Sequence, residues 1–266
     1  LTMQKRTSLL EMDHITVAYQ DKRSILNDIH LTIDQGEFIS IIGKSGCGKS
    51  TLLNVIAGYI QPKSGKIMVQ GREVTKPGPD RGFVFQDLAL FPWLSVLDNV
   101  SFGLRMAGVG KQERLERSRE AIRMVGLSGS EHKSISDLSG GMKQRVAIAR
   151  TLVTKPNILL MDEPFSALDE QTRESLQEEL LRIQKETGMT VILVTHSIDE
   201  AIYLSDRVAV FDEQGSIHNL IHIGLGKPRK PEIRVSSYFN EYKKQLMKDL
   251  RYDFQIQYDE SEGSGI

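Results

Sequence analysis

The spacing of apolar and polar positions changes several times along the chain, and each change marks an element. Residues 12–19 alternate, with Ile15, Val17 and Tyr19 on one side, which predicts a half-buried antiparallel strand. Alternation returns over 29–33, where Ile29, Leu31 and Ile33 share a face, and Asp34, Gln35 and Gly36 then turn the chain. Residues 38–42 are an apolar, β-branched run of strand length, and helix formers fill 49–57 before Gly58, placed as a helix C-cap. A short strand is predicted over 67–69 and another over 82–86, the second ending on the polar Gln86.

From Asp87 onward the pattern becomes helical. Ser95 and Asp98 have the spacing of a helix start, followed by Val96, Val100 and Leu104 on one face. Gly108 and Gly110 interrupt it, and 111–125 predicts an amphipathic exposed helix carrying Leu115, Ile122 and Val125. Residues 87–138 thus read as a helical insertion. A helix over Val146–Arg150, stopped by Pro156, precedes the short apolar run 158–161, which has the texture of a buried parallel strand. Leu176, Leu180 and Ile183 recur at helical spacing, 191–194 is a further buried strand, and Arg207–Phe211 with Ile217 form a hairpin around Gly215. Phe239, Tyr242, Leu246 and Leu250 predict a last amphipathic helix packed on the domain.

Composition narrows the setting. The 266 residues suffice for one large domain with an insertion. Lys plus Arg (34) against Asp plus Glu (35) leaves a net charge of −1, without the basic excess that nucleic-acid binding draws on, so no nucleic-acid partner is expected. Cys47 is the only cysteine, so no intrachain disulfide can form and a reducing compartment is expected. No apolar run approaches the ~18 residues of a membrane span, and the N-terminus lacks a signal peptide's apolar core. Leu1 is an unusual first residue, and Met3 offers an alternative start. Lys227, Pro228, Arg229 and Lys230 read as a solvated basic loop, with contact to a membrane surface as the alternative.

The chemistry centres on Gly43, Lys44, Ser45, Gly46, Cys47, Gly48, Lys49, Ser50 and Thr51. Gly43, Gly48, Lys49 and Ser50 have the G-x-x-x-x-G-K-S spacing of a P-loop, between a predicted strand and a predicted helix as that motif requires. The glycines let backbone N–H groups close around phosphates, and the helix adds its positive N-terminal end. Lys49 can reach the β- and γ-phosphates, and the Ser50 hydroxyl can ligate Mg²⁺. Cys47 lies near that helix start, which lowers a thiol's pKa, so an alkylatable thiolate protected by Mg-ATP is expected; the alternative is a thiol turned into the core. Two further apolar strands also deliver polar residues at their carboxyl ends, Asp162 with Glu163 and Thr195 with His196. In open α/β sheets ligands bind at that edge.

Taken with the segment from Leu138 to Arg145 (L-S-G-G-M-K-Q-R), this set resembles the ATP-binding cassette family over nearly the whole chain to about residue 220. That segment is similar to the family's signature motif, 158–163 to its Walker B strand with the following glutamate, Gln86 to the Q-loop, 166–169 to the D-loop and His196 to the switch histidine. Tyr19 resembles the aromatic that stacks on adenine. Singly, each residue has a plainer reading: a structural histidine, a core tyrosine, a solvated acidic turn. Those readings give way when all the elements stand in one register.

The resemblance implies an α/β fold: a P-loop NTPase (RecA-like) parallel sheet core with an N-terminal antiparallel β subdomain and an inserted α-helical subdomain. The nucleotide-binding core would comprise 1–86 and 139–222, the helical subdomain 87–138, and 223–266 a C-terminal tail with one helix. The nucleotide contacts would be Tyr19 and 43–51. Glu163 would be the general base, with His196 at the γ-phosphate and Gln86 beside the attacking water. Ser50, Gln86 and Asp162 would serve Mg²⁺, so ATP and Mg²⁺ are the implied cofactors. Ser139, Gly140, Gly141 and Gln144 would close over the nucleotide of a second copy in a head-to-tail dimer.

A single cassette without a membrane span implies the ATPase subunit of a bacterial ABC importer, peripheral on the cytoplasmic face of the membrane. Its partners would be separate permease subunits and, indirectly, a solute-binding protein. Leu90, Pro92 and Trp93 resemble the L-x-P-W of the nitrate/sulfonate/taurine branch, which also holds thiamine-precursor cassettes. The apolar run 88–95 would line a groove for a permease helix, the alternative being core of the helical subdomain. A soluble ABC ATPase of DNA repair or ribosomes is the other reading; it would call for a long coiled coil or tandem cassettes. A small-molecule kinase would have no use for the signature segment.

Overall fold

A computed structural model describes residues 8–18 and 24–262, with side chains to residue 250. Tyr19 lies outside the described residues. The described residues form two compact units, one of 8–18, 24–77 and 192–262, the other of 78–191.

The first unit opens with β1 (Ser8–Ala18) and β2 (Ser24–Asp34), antiparallel neighbours. β1 begins four residues before the predicted start because Leu9 and Leu10 are both buried and hide the alternation. β3 (Phe38–Ile42) and α1 (Lys49–Ala57) keep their predicted limits. Both ends of α1 are set by left-handed glycines, Gly48 with φ 101° and Gly58 with φ 82°. A side chain at Gly48 would in addition come within 2.7 Å of the Ile25 carbonyl oxygen. β4 (Ser64–Val69) pairs with β1, and β5 (Arg72–Glu73) pairs with β4, which completes a four-stranded antiparallel sheet ordered β2-β1-β4-β5.

The second unit begins with β6 (Arg81–Val84), which stops short of Gln86. α2 (Val96–Met106) is capped by Ser95, whose hydroxyl accepts from the Asp98 N–H, and buries Val96, Val100 and Leu104 as predicted. α3 (Lys111–Met124) buries only Ser118, Ala121 and Ile122; Leu115 stays half-buried. α4 (Gly140–Leu152) starts six residues before the predicted Val146, at the signature segment itself, with Ser139 as its cap. β7 (Ile158–Asp162) lies parallel to β6, and α5 (Glu170–Thr187) buries Leu176, Leu180 and Ile183. The unit is wider than the segment 87–138, because it also holds β6, α4, β7 and α5.

The unit boundary falls within β8 (Thr190–Val194), all five residues of which are buried. In the first unit α6 (Ile198–Leu204) follows, then β9 (Arg207–Phe211), parallel to β3, and β10 (Ile217–His222), antiparallel to β9. Arg207 reinforces the start of β9: its Nη2 donates to Glu37 Oε2 at 2.8 Å, its Nε to Glu37 Oε1, and this bond raises the guanidinium's pKa. α7 (Ser237–Glu262) buries Phe239 and Leu246, and its Lys243 pairs with Asp199 at 2.9 Å.

The basic segment 227–230 is not simply solvated. Lys227 pairs with Asp206 at 2.7 Å, and Arg229 is 7% exposed. Its Nη1 donates to the Ile202 and Tyr203 carbonyls at 3.1 and 2.9 Å, closing the C-terminal end of α6. Burial pushes that guanidinium's pKa down. Among the described residues no helix is long and apolar enough to cross a membrane.

Candidate active site

The phosphate loop lies in the first unit. Gly48 offers no side-chain cap to α1, and the helix has no acidic residue in its first turn. The start of α1 therefore carries the positive end of the helix dipole with no acidic side chain of its own to offset it. Lys49 is buried, and its Nζ donates to the Gly43 carbonyl at 2.9 Å, the Lys44 carbonyl at 2.6 Å and Cys47 Sγ at 3.8 Å. The loop thus folds around its own ammonium group, which fixes the position of the cation. Lys44 reaches the other way and pairs with Glu213, in the turn between β9 and β10.

Cys47 corrects an expectation. It is 5% exposed, and burial raises its thiol pKa, with the Lys49 charge opposing more weakly. Desolvation prevails because the side chain is buried, next to Lys49. The thiol is therefore not an exposed thiolate at neutral pH.

His196 follows β8 and is exposed. The turn that carries it is tied on both sides. Thr195 Oγ1 donates to Glu200 and accepts from the Ser197 N–H at 3.0 Å, and Ser197 Oγ accepts from the Glu200 N–H at 3.3 Å. Ser197 and Glu200 thus have the S-x-x-E spacing of a capping box, a signal the reading by period passed over.

The second unit holds the acidic pair. Asp162 is the last residue of β7, and Glu163 leaves the strand in the left-handed region with φ 46°. The Ser166 hydroxyl donates to the Glu163 carbonyl at 3.0 Å and pins this turn. Gln86 Nε2 donates to Glu163 Oε2 at 3.4 Å, so the residues following the parallel neighbours β6 and β7 meet at their carboxyl ends. An Asp and a Glu at a strand end, met by an amide from the segment after the neighbouring strand, are suited to holding and polarising a water molecule.

Comparison with known proteins identifies the family. The family model described as ABC transporter matches residues 26–166. The chain belongs to the ABC transporter family. It is 46% identical over 208 residues to the taurine import ATP-binding protein of Pseudomonas aeruginosa, covering 77% of this chain and 79% of that one. It is 44% identical over 250 residues to the aliphatic sulfonates import ATP-binding protein of Bacillus licheniformis, covering 92% and 93%. A dimeric ATP-binding cassette, solved in a post-hydrolysis state bound to ADP and Pi, is similar with a TM-score of 0.72 and 32% identity, over 82% of this chain and all of that one. The fold is the α/β architecture of these ABC cassettes.

Within this ABC cassette the signature segment divides in two. Ser139 and Gly140 are exposed at the start of α4, and Ser139 Oγ accepts from the Met142 N–H at 3.3 Å. Gly141 and Gln144 are buried. A Cβ on Gly141 would sit 2.4 Å from Thr172 Cγ2, so this glycine serves the approach of α4 to α5. Gln144, 3% exposed, does not present its side chain outward and is corrected from a contact in trans to an interior position.

The D-loop ends in a helix cap. Asp169 accepts from the Thr172 N–H at 3.0 Å, and that bond lowers its carboxyl pKa. After Gln86 the apolar run is only partly inward. Leu88, Leu90, Phe91 and Leu94 are half-buried, whereas Trp93 is 76% exposed, so the core reading fails for Trp93. Sequence reasoning missed Arg150, whose guanidinium meets this run, and Glu213 opposite Lys44. Neither partner is signalled by spacing, since 61 and 169 residues separate them from their contacts.

Proposed function

We propose that this chain is the ATP-hydrolysing subunit of an ABC importer and works as a head-to-tail pair around two ATP molecules. The solute is a small anion of the nitrate, sulfonate or taurine kind, or a thiamine-precursor-like molecule; the import proteins named above support the sulfonate and taurine members of that range without excluding the others. The observation that carries the reading is the Gln86–Glu163 contact at the ends of β6 and β7, where a phosphate-directed water needs a base and an orienting amide.

In this reading residues 43–51 bind the phosphates: the N–H groups at the start of α1 point at oxygens, and Lys49 exchanges its carbonyl acceptors for the β- and γ-phosphates. Glu163 accepts the proton of the attacking water as its oxygen bonds to the γ-phosphorus and the bond to ADP breaks. Gln86 orients that water, and His196 contacts the γ-phosphate. The Ser50 hydroxyl, the Asp162 carboxylate and the Gln86 amide oxygen would serve Mg²⁺; each is a hard oxygen donor, the type that ion prefers. When bound, Mg²⁺ supplies charge neutralisation on the phosphates.

The partners are a second copy, meeting Ser139 and Gly140, and integral-membrane permease subunits that this chain meets from the cytoplasmic face, fed by a solute-binding protein. Half-buried Leu88, Leu90, Phe91 and Leu94 beside exposed Trp93 support a docking surface for a permease helix directly after Gln86. The test is reconstitution with the neighbouring permease in liposomes. Hydrolysis stimulated by sulfonate-loaded binding protein supports the proposal, and hydrolysis indifferent to the permease contradicts it.

A further inference from the structure

Arg150 stands in the last turn of α4, the helix that the signature segment opens. Its guanidinium leaves the helix and meets the loop that follows Gln86. Nη2 donates to the Leu88 carbonyl and Nη1 to the Ala89 carbonyl, each at 2.6 Å. The same group stands 5.8 Å from the centre of the Phe91 ring, which in turn packs on Trp93 at 5.6 Å between ring centres. One cation therefore touches three residues of a loop that begins at the catalytic amide and ends on the exposed tryptophan.

The turn it grips is strained. Leu88 and Ala89 are both left-handed, with φ 61° and 43°, and neither is glycine. A residue with a Cβ enters that region at a cost and stays there only when its surroundings over-determine it. Here both carbonyls converge on one planar fork, which is the geometry a guanidinium serves and an ammonium does not. Burial lowers the Arg150 pKa, and Asp87 nearby raises it.

We propose that Arg150 is a positioning residue that holds the Gln86 loop in its left-handed turn, and so ties the signature helix to both the Gln86 amide and Trp93. The inference deepens the ATPase reading and rests on it for its kinetic consequence. Its structural consequence can be read separately, because Trp93 is the only tryptophan in the chain.

The experiment uses the full chain with Arg150→Ala, Arg150→Lys, and Arg150→Ala combined with Leu88→Gly and Ala89→Gly. Trp93 fluorescence anisotropy is measured without nucleotide, and kcat, KM and Kd for Mg-ATP are measured on the same samples. Arg150→Ala and Arg150→Lys are expected to lower the anisotropy and to reduce kcat by about 10-fold or more, with KM and Kd within about 2-fold. The two glycines, which adopt the turn without strain, are expected to restore most of both readings. Unchanged anisotropy in Arg150→Ala, or a loss of kcat that the glycines leave uncorrected, overturns the proposal. A wild-type chain that hydrolyses no ATP instead refutes the ATPase reading, while the anisotropy series still decides the role of Arg150.

Discussion

Gln86 Nε2 lies 3.4 Å from Glu163 Oε2, and this contact joins the loop after β6 to the left-handed turn after β7. The bond is long, so its value lies in orientation more than in binding energy, and such contacts tighten when substrate is present. Replacing Gln86 with alanine removes the amide that faces the base. Turnover is expected to fall about 10-fold, equivalent to ~1.4 kcal/mol of transition-state stabilisation, while ATP affinity changes by less than about 2-fold. A loss confined to affinity would place Gln86 in ground-state binding instead. Steady-state kinetics beside equilibrium nucleotide binding separates the two.

Cys47 gives a pH dependence. Burial favours the neutral thiol, so at any given pH the folded protein holds less thiolate than an unfolded chain does. Maleimide labelling at pH 7 is expected to run at least ~10-fold slower in the native protein than in urea, to accelerate as pH rises past the ordinary thiol range, and to respond little to Mg-ATP. Fast neutral labelling that Mg-ATP blocks would restore the exposed-thiolate expectation. Mass spectrometry of quenched samples reads both outcomes.

How much of this could be read in the chain differs element by element. α1 matched its predicted limits because the glycines at both ends are punctuation that spacing makes visible. Gln86, Glu163 and the signature segment were singled out through the family resemblance, which attaches particular residue types to the ends of recognisable strands and helices. Arg150 and Arg229 were not. Each satisfies backbone carbonyls from distant segments, and a carbonyl acceptor leaves no residue type to read. Gln144 was misplaced because a motif fixes identity and order, whereas which side of α4 faces inward is decided by packing. The start of β1 was missed because Leu9 and Leu10 are both buried, and its pairing to β2 shifts between Ser8 and Leu10, which hides the alternation.

Gly141 tests the packing account of the signature segment. An alanine there brings Cβ to 2.4 Å from Thr172 Cγ2. Gly141→Ala is expected to cost about 1–3 kcal/mol by overpacking, and Thr172→Ser, which deletes that methyl group, to recover most of the loss. Urea denaturation of the single and double variants measures it. A Gly141→Ala chain as stable as the parent would show that α4 and α5 have room to spare.

Phe91 and Trp93 test where force leaves the subunit. Trp93 is exposed, and Phe91 packs on it and on Phe102. Replacing both with alanine is expected to reduce permease-dependent transport at least ~10-fold, as loss of an aromatic hot spot does, while the subunit stays folded and binds ATP. Transport at the parental rate, or an unfolded subunit, would move the docking surface elsewhere. Transport in liposomes, with circular dichroism of the isolated variant, supplies both readings.

Glu163 carries the central claim, because only a general base at that position makes the acidic pair of β7 a hydrolytic centre. Glu163→Gln keeps the shape and the hydrogen-bonding atoms and removes the basicity. Phosphate release from Mg-ATP is expected to fall by a factor of about 10²–10⁴ with nucleotide affinity retained, and the unhydrolysed ATP is expected to hold two copies together on size exclusion. A Glu163→Gln chain that releases phosphate at near the parental rate would contradict the assignment of Glu163 as the base, and with it the proposed mechanism.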